Sequence, residues 1–120
     1  MTKKEITKLD SIFRDKIRAR DKVCQCFGST QRCGGSLQVA HFITRSNKQV
    51  RWCMDNAALL CAGHHIFWAH KNPLDFQEFV FKRLGENRYT LLKLAARGNR
   101  KLYFEDVKLS LQLYLPQIDA

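Results

Sequence analysis

Between Lys3 and Arg20, apolar residues fall at Ile6, Leu9, Phe13 and Ile17, the three-and-four spacing of one buried helical face. This predicts an N-terminal helix over 3–20, with Lys4, Lys8, Arg14, Lys16, Arg18 and Arg20 on its other faces. The periodicity then gives way to VCQCFGSTQRCGG, a turn-rich loop from Val23 to Gly35. Alternation returns in LQVAHFI, where Leu37, Val39 and His41 read as a short strand. After the polar turn 44–49, VRWC is expected to form a second strand pairing with the first. Asp55 or Asn56 would then cap a helix running through AALLCAGHHIFWAH.

The rest of the chain reads as helices. Asn72 and Pro73 place an N-cap before a first-turn proline. Phe76, Phe79, Val80 and Leu84 supply an apolar face, and Gly85 can close the helix. Tyr89, Leu92 and Ala96 predict another helix ending at Gly98. In LYFEDVKLSLQLYL, Val107, Leu111 and Tyr114 suit a helix, whereas Leu109, Leu111, Leu113 and Leu115 alternate like a strand; helix is favoured because no free partner strand is evident nearby.

Length and composition narrow the class. A chain of 120 residues predicts one domain, and 45% hydrophobic with 27% charged residues fits a globular fold. No run reaches the roughly 18 apolar residues of a membrane span. The start, MTKKEITKLD, has no apolar segment of a secretion signal, so a cytoplasmic location is expected. Lysine and arginine number 21 against 11 acidic residues, a formal charge of +10. That excess predicts a polyanionic partner, since neutralised phosphates release condensed counterions.

Five cysteines, an odd number without a secretion signal, argue against a disulfide framework. Cys24, Cys26 and Cys33 share one loop, and Cys61 precedes His64 at C-x-x-H spacing. Two such pairs on separate elements can complete a tetrahedral zinc site, with one of Cys24 and Cys26 joining Cys33. Cys53, on the expected second strand, reads as packing. All four histidines, His41, His64, His65 and His70, fall within a 30-residue window, beside Asn56 at the mouth of the expected helix. Such density asks for a metal or proton-transfer role. Trp52, Phe67 and Trp68 suit base stacking, but at least two of them are expected to cover the core.

The stretch LQVAHFITRSNKQVRWCMDNAALLCAGHHIFWAHKNP resembles the HNH nuclease motif: a histidine ending a strand, an asparagine after the hairpin and a histidine on the following helix. It is similar in particular to phage recombination nucleases of the NinG/Rap type, over roughly residues 20–85. The resemblance implies an α+β fold with a small ββα-metal (HNH) core and zinc knuckle at 23–71, flanked by the N-terminal helix and a helical tail over 73–116. It also implies DNA hydrolysis in a bacterial host cell. His41 would be the general base, Asn56 would fix the hairpin, and His65 would ligate a catalytic Mg2+ or Mn2+ beside the structural Zn2+ of the cysteine site. Where many relatives carry a further metal ligand, immediately before the base, this chain has Ala40; Asp55 and His70 are the candidate replacements. Arg45, Lys48 and Arg51 flank the hairpin as candidate backbone contacts for DNA. The competing reading is a zinc-stabilised DNA-binding module that has lost catalysis.

Overall fold

The computed structural model describes residues 1–26 and 32–115. The middle of the predicted cysteine loop (27–31) and the final position of the predicted tail (116) lie outside the described residues. Helix α1, Lys3–Asp21, opens on a capping box in which Thr2 Oγ1 accepts from the Glu5 amide and the Glu5 carboxylate accepts from the Thr2 amide. Its buried residues Leu9, Phe13 and Ile17 are those the periodicity picked out. Two antiparallel strands follow, β1 (Leu37–His41) and β2 (Ala57–Cys61), in a register that runs from Leu37 opposite Cys61 to His41 opposite Ala57. A π-helical segment, Gly63–Ala69, leads into α2 (Pro73–Ala96), and α3 (Phe104–Gln112) completes the described chain. The result is a small α+β fold, and none of its described helices is long and apolar enough to cross a membrane.

The second strand differs from expectation. VRWC is not β2; it belongs to a winding connection with short backbone bonds from Cys53 N to Val50 O (3.1 Å) and from Asn56 N to Cys53 O (2.9 Å). β2 is AALLC, assigned from sequence to the start of a helix, and that helix does not begin until Gly63. The reason is burial on both sides. All five residues of β2 are buried. Ala57 and Leu59 pack toward α1, while Ala58, Leu60 and Cys61 pack toward Trp68 and Ala69. A strand covered on both faces is continuously apolar, and periodicity cannot separate that pattern from a buried helix. Neither Asp55 nor Asn56 caps a helix in consequence. Cys53 lies in the connection, half-buried against the cluster around Val50 and Val80, so its packing reading stands.

Three apolar clusters organise the molecule. α1 and α3 close over one side of the sheet, with Leu111 buried beside Trp52, and Val107 and Tyr114 at its margin, which settles the final segment as a helix. Phe76, Phe79 and Trp68 close over the other side. α2 is two helical stretches broken at Gly85, whose φ of 79° and ψ of 166° favour glycine. At the end of α1, buried Asp21 ties the layers together. Its carboxylate accepts from Arg20 (2.7 and 3.0 Å), from Arg83 of α2 (2.9 Å) and from the Leu59 amide of β2 (2.9 Å). Burial alone would raise its pKa; the Arg20 bond, the Leu59 amide and the charges of Arg20 and Arg83 hold it below the usual carboxylate value instead.

Candidate functional site

Two constellations sit back to back on the π-helical segment. The first is the cysteine site. Nδ1 of His64 lies 3.3 Å from Cys24 Sγ, 3.6 Å from Cys33 Sγ and 3.2 Å from Cys61 Sγ. The four donor atoms all fall within 4.8 Å of one another, and His64 is fully buried. Tetrahedral bonds of about 2.0–2.3 Å place neighbouring donors about 3.5 Å apart, so the observed nitrogen–sulfur spacings fit a four-coordinate ion such as zinc. This donor set can hold a metal.

Its chemistry agrees. The amides of Gly34 and His64 both donate to Cys61 Sγ at 3.4 Å. Against the upward push of desolvation, these donors bring the Cys61 thiol down to about 6, which favours its thiolate form. Cys33 is pushed up to about 11, by loss of hydration and then by Cys24 and Cys61 beside it. Crowded thiols of this kind ionise together only when a cation joins them. Two loops approach closely to build the site. The Gly63 amide donates to the Gly34 carbonyl (2.9 Å) and the Ala62 amide to the Ser36 carbonyl (2.8 Å). Gly35, at φ 82°, leaves no room for a side chain, since a Cβ there would come 2.8 Å from Ala62 Cβ.

Of the two candidates Cys24 and Cys26, the quartet contains Cys24. Cys26 is buried beside the cluster, and burial followed by the neighbouring Cys24 raises its thiol to about 12.

The second constellation is a cleft of about 640 Å³ between α1, β1 and the π-helical segment. His41, His65 and His70 line it together. His41 ends β1, its ring stacked on Phe13 of α1 at 5.3 Å, with Nε2 2.9 Å from the Arg51 carbonyl. A carbonyl only accepts, so Nε2 carries the hydrogen and Nδ1 of the neutral ring keeps its lone pair. Burial first, then the charges of Arg45 and Arg51, hold the His41 pKa below its ordinary value and favour that neutral form. His65 is fixed in the same way. Its Nδ1 lies 2.9 Å from Gln38 Oε1, and its ring centroid is 5.0 Å from that of His70. Burial, followed by the nearby His70 and His41, lowers its pKa too.

Asn56 is fully buried and holds the long connection in shape. Its Oδ1 accepts from the Ile43 amide (2.8 Å), and its Nδ2 donates to the carbonyls of Ile43 and Val50, both at 3.0 Å. It therefore fixes the turn directly after His41, from the connection and not from a helix cap.

Other expected residues are placed elsewhere. Asp55 is paired with Arg88 of α2 and does not line the cleft. Ala40, 1% exposed, packs in the apolar cluster with Cys24 and Cys26. Of the three candidate backbone contacts, only Arg45 lines the cleft. Lys48 borders a separate hollow with Arg100 and Tyr103. Arg51 turns its guanidinium onto Asp10, at 2.7 and 3.1 Å, and is too enclosed to meet a phosphate. Trp52 and Trp68 are buried, and only Phe67 stays exposed enough to stack on a base.

Asp10 and Gln38 line the cleft without being singled out by the sequence. Arg14 and Arg18 line it too, and in sequence read only as basic residues on the helix's outer faces, some of them able to contact phosphate. Three of these lie on α1, far from the histidines in sequence. The available signal was the four-residue spacing of Arg14 and Arg18; Asp10, one of four acids on the helix, carried none. No family model matches this chain, and no curated protein or solved structure matches it either.

Proposed function

We propose that this protein is a metal-dependent endonuclease of the HNH type that hydrolyses DNA phosphodiester bonds, built around a structural zinc held by Cys24, Cys33, Cys61 and His64. The observation that carries the reading is the meeting of His41, His65 and His70 in one cleft, with the tautomers of His41 and His65 each set by a neighbouring acceptor. Strand, connection, strand and helical segment follow in the order of a ββα-metal core, with His41, Asn56 and His65 at the three motif positions.

In this reading, Nδ1 of His41 accepts a proton from a water molecule as its oxygen attacks phosphorus, and the 3′ oxygen departs. Gln38 orients His65 so that Nε2, the free nitrogen, together with His70, would hold a divalent cation such as Mg2+ or Mn2+. Such a cation neutralises charge on the phosphate when bound. Asn56 and the Arg51 carbonyl keep His41 in place.

Supercoiled plasmid incubated with Mg2+ or Mn2+ tests the proposal. The protein should nick or linearise it, and His41→Ala should slow cleavage by about a hundredfold or more without altering the circular dichroism spectrum. One observation favours a second reading, a zinc-stabilised DNA-binding module. Ala40 is packed in the core, and among the described residues the one carboxylate lining the cleft, Asp10, is already engaged by arginines. Plasmid that is retarded but left intact with every cation would favour the module over the nuclease.

A further inference from the structure

We infer that the cleft-facing side of α1 is the nucleic-acid interface of this site, with Arg14 and Arg18 holding the phosphodiester backbone of the DNA strand in the cleft; this rests on the reading of the cleft as a phosphodiester site. Both residues line the cleft that contains His41 and His65, and both are exposed. Their contacts in the folded chain are long and neutral. Arg14 reaches Ser11 Oγ at 3.5 Å, and Arg18 reaches the Leu37 carbonyl at 3.5 Å.

The other arginines around the core behave differently. Arg20 and Arg83 pair with Asp21, Arg45 and Arg51 with Asp10, and Arg88 with Asp55. Among the described residues, Arg14 and Arg18 form no ion pair, so their charge is not compensated within the fold. The cleft gives them no carboxylate either, because Asp10 already accepts from Arg51, Arg45 and Trp52 Nε1.

Spacing completes the case. Four residues along an α-helix is about 6 Å, just over one turn, so the two side chains leave α1 on the same face and follow one track beside β1. Guanidinium groups bind phosphate oxygens in pairs of parallel hydrogen bonds, which suits a backbone running along that track. α1 thus supplies one wall of the cleft as a phosphate grip, and the end of β1 with the π-helical segment and the residue after it supplies His41, His65 and His70.

The test measures binding, not cleavage, and so separates this inference from the nuclease reading. His41→Ala protein in divalent-free buffer is titrated against a fluorescent single-stranded DNA, the matching duplex and an RNA of the same sequence, over a range of salt concentrations. Arg14→Ala with Arg18→Ala should weaken DNA binding about tenfold or more. The slope of log affinity against log salt should become shallower by about 1.4 for the single strand, or about 1.8 for the duplex. Lys8→Ala, an exposed charge on α1 outside the cleft, should change neither quantity appreciably. Equal loss on DNA and RNA would support a grip on the backbone that ignores the sugar. Unchanged affinity and slope in the double variant, the same loss in Lys8→Ala, or binding to RNA alone would overturn the inference. If the interface passes while plasmid stays intact with every cation, the nuclease reading falls and the interface stands.

Discussion

His64 and His65 are neighbours in the chain and belong to opposite kinds of site. His64 is fully buried, with Cys24, Cys33 and Cys61 closing around its Nδ1. His65 is half-buried and looks into an open cleft, where its partner is the amide oxygen of Gln38. Adjacent residues on a helical segment point in directions roughly a quarter-turn apart, so one short element can serve two sites. The closed site has a full set of four donors and no room for a substrate. The open site has imidazoles with spare nitrogens and arginines along its wall. A complete ligand shell suits a structural ion, and an incomplete one suits chemistry. The difference also makes the two sites interdependent, because whatever fixes His64 fixes the backbone that carries His65.

The largest expected effect therefore comes from the closed site. Cys61→Ala removes a thiolate that also accepts the Gly34 and His64 amides. Structural zinc contributes about 10–16 kcal/mol in small domains, comparable to the whole stability of a typical domain. The variant should lose its bound metal, lose its cooperative thermal transition and cut nothing. A soluble, metal-free and fully active Cys61→Ala protein would show that the quartet is no structural site. His65→Ala should do the reverse: elemental analysis should still find one metal per chain, while plasmid cleavage falls at least about a hundredfold. If it is the metal that disappears, the roles of the two histidines are exchanged.

The same contrast explains what could be read without coordinates. The closed site was legible because its ligands come as two short-range groups, and cysteines in a turn-rich loop have few other uses. α1 was legible because it has one wet face and one dry face, whereas the pattern of α3 also alternates like a strand and helix was favoured only because no free partner strand was evident. β2 was not, since a strand buried on both sides loses the alternation that would reveal it, and Ala57–Cys61 was taken into the helix that follows. The histidines of the open site could be named, but its other wall could not. Asp10, Arg14 and Arg18 lie on α1 and reach the cleft only through tertiary packing. Arg51 reads as a phosphate contact for the same reason: its neighbourhood in sequence does not show that its guanidinium lies on Asp10.

Asp10 offers a smaller and more discriminating perturbation. Its carboxylate accepts from Arg51 and from Trp52 Nε1, and the Arg51 carbonyl in turn holds Nε2 of His41. On the nuclease reading Asp10 would be a positioning residue, acting on His41 through Arg51. Asp10→Asn keeps the shape and removes the charge, and should slow cleavage about tenfold, a loss of about 1.4 kcal/mol. Its pH profile should move as well. A general base works when neutral, so the rate rises with pH through the His41 pKa and levels off above it. Burial, Arg45 and Arg51 already set that pKa below its ordinary value, opposed first by the hydrogen bond to the Arg51 carbonyl and then by the Asp10 charge. Without that charge the acidic limb should shift to still lower pH. An unchanged rate with an unchanged limb would mean that Asp10 only joins α1 to the connection.

The smallest effect is expected at Cys26, and it sharpens the boundary of the closed site. Cys24 and Cys26 are separated by one residue, and both are buried, so sequence spacing could not choose between them. In the fold, Cys24 Sγ lies 3.3 Å from His64 Nδ1, whereas Cys26 packs in the same apolar cluster without joining the quartet. If Cys26 is packing, Cys26→Ala deletes only one buried sulfur, a loss of about 1 kcal/mol through the small cavity left behind. Metal content should stay at one per chain, and cleavage should keep the wild-type rate. Cys24→Ala should behave like Cys61→Ala. Were the two results reversed, the thiolate at 26 would be the ligand. The loop would then have to turn its other cysteine inward, and Gln25, whose amide donates to the Leu59 carbonyl at 2.9 Å, would have to give up its bond to β2. That backbone bond is the physical reason to expect Cys24: it sets which side of the loop faces His64.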